Sequence, residues 1–175
     1  MNRLIRIALT FLLVMTSGVI QAEIVIYPVP QGIYYARHND DYTVKVRQVG
    51  EKDWVDLYEY NVKVDMDTKS DATMVQFDFS GKVEVLVQKN NGELRSAVVR
   101  PLSKGIHPEI DGNFLLFTLD KPQKLSVEFN GDCLNNLHVF ANPIIKDIPD
   151  KNDPNVMYFE SGIHEPTDAA GKCFR

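Results

Sequence analysis

Between residues 42 and 129 the chain falls into segments that alternate apolar and polar side chains with a period of two. Tyr42, Val44 and Val46 alternate with Thr43, Lys45 and Arg47. Tyr58, Tyr60, Val62, Val64 and Met66 alternate with Glu59, Asn61, Lys63 and Asp65. Val75, Phe77 and Phe79 are spaced by Gln76 and Asp78, and Val83, Val85 and Val87 continue the pattern. Successive side chains of a strand point to opposite faces, so each segment offers one face to a core and one to water. Strands of a purely parallel sheet are covered on both faces and carry unbroken apolar runs instead, so the alternation predicts antiparallel pairing. Asn90-Asn91-Gly92, Asp111-Gly112-Asn113 and Asn130-Gly131-Asp132 supply the positive φ angles that tight hairpins need. A further hairpin is expected around Asp120–Gln123, between the run Leu115, Phe117, Leu119 and the run Leu125, Val127, Phe129. With Ile24–Tyr27 and Leu137–Phe140 added, about nine strands result, and no segment has a helical period. Short strands with turns every 8–12 residues describe an antiparallel β-sandwich.

Both ends depart from this pattern. Arg3 and Arg6 precede an apolar stretch from Ile7 to Ile20, which ends on Gln21-Ala22. A basic start, a short apolar core and a small residue at the end describe a secretory signal, 1–22. A spanning helix needs about 20 apolar residues, more than this stretch provides. The sandwich then occupies 23–142. From 143 to 175 Pro143, Pro149 and Pro154 stand among Asp147, Asp150 and Asp153, which marks a connector. Val156-Met157-Tyr158-Phe159 is one more short apolar strand, read as the start of a second module.

Without the 22 residues of the signal and its two arginines, 153 residues remain and the formal charge moves from −5 to −7. An acidic domain lacks the Lys and Arg excess that nucleic acid requires and gains little from an anionic membrane surface. The localisation expected is secreted or periplasmic. In an oxidising compartment the only two cysteines, Cys133 and Cys173, can pair, with two unpaired thiols as the alternative.

Catalytic constellations are weak. His107-Pro108-Glu109-Ile110-Asp111 gathers an imidazole and two carboxylates, but Pro108 and Gly112 place the group in a loop, where solvated polar residues are ordinary. Asp150, Asn152 and Asp153 resemble the start of a calcium loop, yet Pro154 fills the next alternate position and Glu160 is misplaced. No nucleophile elbow, phosphate loop or zinc spacing occurs, and no catalytic residue, metal or cofactor is assigned. The aromatic residues carry more. Sugar rings stack their C–H faces on aromatic side chains, which makes Trp54, Tyr34 and Tyr35 the candidate substrate-binding set. Against this, Trp54, Tyr58 and Tyr60 share one parity of one strand, which places them in the core.

Several strings in the second half resemble a known family. Arg100-Pro101-Leu102-Ser103 ends one strand, and Lys124-Leu125-Ser126-Val127-Glu128-Phe129-Asn130-Gly131-Asp132 follows. Then come Asn136-Leu137-His138-Val139-Phe140-Ala141-Asn142-Pro143, Asp153-Pro154-Asn155-Val156-Met157-Tyr158-Phe159 and Gly162-Ile163-His164. In this order they resemble the N-terminal β-sandwich of secreted β-helix glycoside hydrolases: the dextranase and isopullulanase family, family 49, and the polygalacturonase-like family 28. Glu160-Ser161 replaces a Gly-Pro pair usual in that family. The resemblance implies a catalytic parallel β-helix beyond this point, so this chain is expected to be the non-catalytic accessory domain of a polysaccharide-degrading hydrolase. Its partner would be its own β-helix module, and a polysaccharide contact would come through the aromatic set. A stand-alone carbohydrate-binding sandwich and a structural cell-envelope domain are the alternatives.

Overall fold

The computed structural model describes residues 23–29, 38–65, 67 and 70–159. Residues 1–22, read above as a signal, and Tyr34, Tyr35 and Cys173 lie outside them. Among the described residues eleven strands form a β-sandwich: β1 (Glu23–Val25), β2 (Tyr42–Gln48), β3 (Val55–Asp56), β4 (Tyr60–Asp65), β5 (Ser70–Ser80), β6 (Val83–Lys89), β7 (Ala97–Arg100), β8 (Glu109–Asp111), β9 (Phe114–Leu119), β10 (Gln123–Phe129) and β11 (Asp132–Pro143). Two of these, β3 and β8, are too short to show as alternation and account for the excess over nine. A single 3-10 turn, Leu102–Lys104, follows β7.

One sheet has five strands in the order β3-β2-β6-β9-β8. The other has six, β1-β5-β11-β10-β7, with β4 pairing the beginning of β5 and β1 its end. All pairings are antiparallel except β5 with β11, which run parallel from Leu137↔Thr73 to Pro143↔Phe79. The alternation of each strand turns one parity inward. Val44, Val46, Val85, Val87, Leu115 and Phe117 from the five-stranded sheet meet Val75, Phe77, Phe79, Val127, Val139 and Leu137 from the six-stranded one. Tyr42 joins them, its ring stacked on Phe129 at 4.4 Å and its hydroxyl donating to the Asn135 carbonyl at 2.9 Å.

The turn signals divide into two kinds. Gly112-Asn113 closes the β8–β9 hairpin, and Asn130-Gly131, with φ of 55° and 81°, closes the β10–β11 hairpin with the positive angles expected. Ser80-Gly81, Asn90–Gly92 and Asp120–Gln123 instead carry the chain from one sheet to the other, since β5 and β6, β6 and β7, and β9 and β10 do not pair. The expected hairpin at Asp120–Gln123 is therefore an arch across the sandwich. The 93–96 segment after the Asn90–Gly92 arch is held by turn residues of other strands. Asn130 Oδ1 accepts the Arg95 N–H at 2.8 Å while its Nδ2 donates to the Glu93 carbonyl, and Asn113 Oδ1 accepts the Leu94 N–H at 3.0 Å.

Two more expectations are corrected. Residues 58–66 are not one strand with one core face. The chain pairs with β2 at Val55–Asp56, leaves that sheet, and enters the other at Tyr60. Leu57 and Glu59 turn inward at the crossing, while Val64 is exposed. Residues 156–159 form no strand, and Met157, Tyr158 and Phe159 are exposed; among the described strands none pairs with this segment.

Candidate functional site

The crossing at Leu57–Glu59 splits the aromatic set between two surfaces. Trp54 precedes β3 and lies against the outer side of the five-stranded sheet, half-buried, with the Arg47 guanidinium 4.2 Å from its ring centroid. Arg47 Nε in turn donates to Glu84 at 2.6 Å. The core position that parity gave Trp54 is thus not the one it occupies. Tyr58 and Tyr60 stay together edge to face at 4.8 Å on the six-stranded side, with His38 5.2 Å from Tyr58.

Around His38 lies a polar knot that alternation hides. Glu59 follows the parity of the solvent face in the sequence, yet it is buried at 4 % exposure. Where β3 leaves β2, the Val44 N–H loses a strand partner, and Glu59 Oε1 accepts it at 2.6 Å. Glu59 Oε2 contacts His38 Nε2 at 3.0 Å, and Asp40 Oδ1 contacts His38 Nδ1 at 2.7 Å. Desolvation pulls the His38 pKa down, but hydrogen bonds to Glu59 and Asp40 outweigh it and leave the pKa raised. With both ring nitrogens facing carboxylates, the protonated imidazole is favoured over the neutral one. Glycosidase chemistry uses two carboxyl groups about 5–9.5 Å apart across a bound sugar, with oxygens free to reach it. Both Glu59 oxygens are already engaged, so this knot holds the sheet edge together rather than offering a catalytic pair.

The outer face of the five-stranded sheet is organised by register. Asp56, Lys45, Leu86, Leu116 and Glu109 form one row across all five strands. On one side of it lies the row Arg47, Glu84, Thr118, and on the other Thr43, Gln88, Phe114, Asp111. Phe114 is 43 % exposed, and Leu86 and Leu116 are half-buried. Two clefts adjoin here and share Glu109 and Leu116. The larger, of about 480 Å³, lies beside residues 104–107 and is lined by Lys82, Glu84, His107 and Thr118 among others. The smaller, of about 390 Å³, is floored by Leu86, Phe114 and Leu116. Glu109 and Asp111 belong to strand β8 rather than to the loop expected for them, while His107 stays in the loop.

Among the described residues no group of three or more His, Cys, Asp or Glu is arranged to hold a metal ion. Cys133 is exposed, and the partner proposed for it lies outside the described residues. Asp150 Oδ1 accepts the Asn152 backbone N–H at 2.9 Å, a turn closed by its own side chain.

No protein-family model and no curated protein matches the sequence. Among solved structures the chain is similar to Dex49A from Penicillium minioluteum, with a TM-score of 0.54 and 17% sequence identity. The likeness is one of fold. It covers 75% of this chain and 33% of that one, so this chain spans about a third of the length of its structural relative. No helix among the described residues is long and apolar enough to cross a membrane.

Proposed function

We propose that the chain is the non-catalytic β-sandwich of an exported polysaccharide-degrading glycoside hydrolase of the β-helix class. The observation that carries this is the fold likeness over three quarters of the chain to a third of Dex49A. The strings from Arg100 to His164, which resemble family 49, point to the same class. The sandwich would pack on the first coils of a parallel β-helix, whose apolar, unpaired end needs cover. The exposed side chains Ile145, Ile148, Met157, Tyr158 and Phe159 supply apolar area for that contact. Export follows from the 1–22 segment, with cleavage after Ala22.

The purified chain is expected to release no reducing ends from dextran, pullulan or polygalacturonate. Hydrolysis that survives purification and disappears on substituting one of its own acids contradicts the non-catalytic assignment. The accessory assignment is tested in the source organism. An antibody against the sandwich should recover, from the exported fraction, a product whose first residue is Glu23, together with glycosidase activity and peptides of a β-helix module. Recovery of the sandwich with neither activity nor such peptides sinks the accessory role.

A further inference from the structure

We propose that the outer face of the five-stranded sheet, from Trp54 across Leu86 and Leu116 to Phe114, with its two adjoining clefts, binds a neutral polysaccharide chain. For the class of ligand this rests on the glycoside hydrolase reading above; the placement rests on the sheet itself.

The first argument is shape and length. The row from Asp56 to Glu109 crosses five strands, which at the usual strand spacing is about 19 Å. That length suits an extended chain of several sugar rings rather than one small molecule. Beside residues 104–107 the face deepens into the cleft of about 480 Å³, within the usual range of ligand sites.

The second argument is the grain of the surface. The core of a protein–protein interface is depleted of charge. Here the apolar floor of Leu86 and Leu116 is instead flanked in the same row by Lys45 and Glu109, one strand away on either side. A sugar ring has the same grain, since it offers a C–H face for an apolar or aromatic side chain and hydroxyls at its rim for charged hydrogen-bonding groups. Phe114, and Trp54 steadied by Arg47, are the two aromatic anchors.

The third argument is charge. The basic side chains of the face are matched. Lys45 pairs with Asp56 at 2.8 Å and Arg47 with Glu84 at 2.6 Å. In the larger cleft Lys82 and Lys104 stand with Glu109 and Asp120. Asp111 in the smaller cleft is a fifth acid against these four bases, so no positive surplus is left to select an acidic polymer, and the ligand is a neutral glycan rather than a polyuronate.

The experiment is affinity electrophoresis of the mature chain in native gels containing dextran, pullulan or polygalacturonate. Retardation is expected in at least one neutral glucan and not in polygalacturonate. Phe114→Ala and Trp54→Ala should each weaken it by roughly tenfold, the usual loss of an aromatic anchor. Tyr60→Ala, on the opposite sheet, should leave it unchanged. Amide shifts of the labelled wild-type chain on titration with the same glucan, which need no variant, should concentrate on Leu86, Phe114 and Leu116. The proposal is overturned by migration unchanged in both neutral glucans, by preference for polygalacturonate, by loss in Tyr60→Ala alone, or by shifts centred on the six-stranded sheet. The accessory role fails by a different observation. A sandwich that binds glucan but never travels with a glycosidase overturns that role and leaves the platform standing, and the converse result overturns only the platform.

Discussion

Phe77→Ala is expected to lower the stability of the domain by about 3–5 kcal/mol, the range for emptying a fully packed aromatic site. Phe77 is at 0 % exposure, lies in register with Ala141 of the parallel neighbour, and packs its ring 5.7 Å from that of Phe79. Side chains from both sheets close around it, so no single strand can shift to fill the space. Trp54→Ala removes a larger side chain and is expected to cost only about 1 kcal/mol, the size of an exposed cation–π contact and its shallow packing. Urea midpoints of the two variants against wild type, with the slope confirmed constant, compare them directly. Equal losses would place the indole in the interior, and the carbohydrate platform would lose an anchor.

That contrast shows what the sequence could and could not convey. Alternation reports which side chains share a face, and it found the inward residues of β2, β5, β6, β9 and β10 because each strand there is long enough to repeat. It does not report which sheet a strand joins. Asn91-Gly92 and Asn130-Gly131 are the same residue pair, with Gly92 at φ 75° and Gly131 at 81°, but only Asn130 of the two asparagines also takes a positive φ. The second closes a hairpin because Phe129 and Asp132 pair directly. The first opens onto a segment whose Leu94 is drawn between the sheets, so the chain crosses over. Parity failed at Trp54–Tyr60 for the same reason. A change of sheet at Leu57 resets which side is inward, and nothing local marks it. The apolar run at 156–159 illustrates the complement, because strand-forming residues become a strand only where a partner edge exists.

Glu59 is the buried charge that this change of sheet requires, and its removal should be the costliest polar substitution in the molecule. Glu59→Ala leaves the Val44 N–H without an acceptor and releases His38, for an expected loss of about 3 kcal/mol. Glu59→Gln keeps an oxygen for Val44 and should cost less than half of that. The pH dependence identifies the imidazole's share. The folded state raises the His38 pKa above its ordinary 6.5, so it holds that proton more tightly than the unfolded chain does. Stability from this group is therefore complete below about pH 6.5 and is lost as the pH climbs through the raised value. His138 works the other way, since burial lowers its pKa and favours the neutral ring, giving a slope of opposite sign. The quantity that isolates His38 is the difference between wild type and His38→Ala, taken from urea midpoints between pH 5.5 and 8.5 at constant ionic strength. That difference should be largest at the acid end and shrink steadily toward the alkaline end. A difference that is flat, or that grows with pH, would show that His38 is not held as a cation between Asp40 and Glu59, and the knot would then be a neutral hydrogen-bond network.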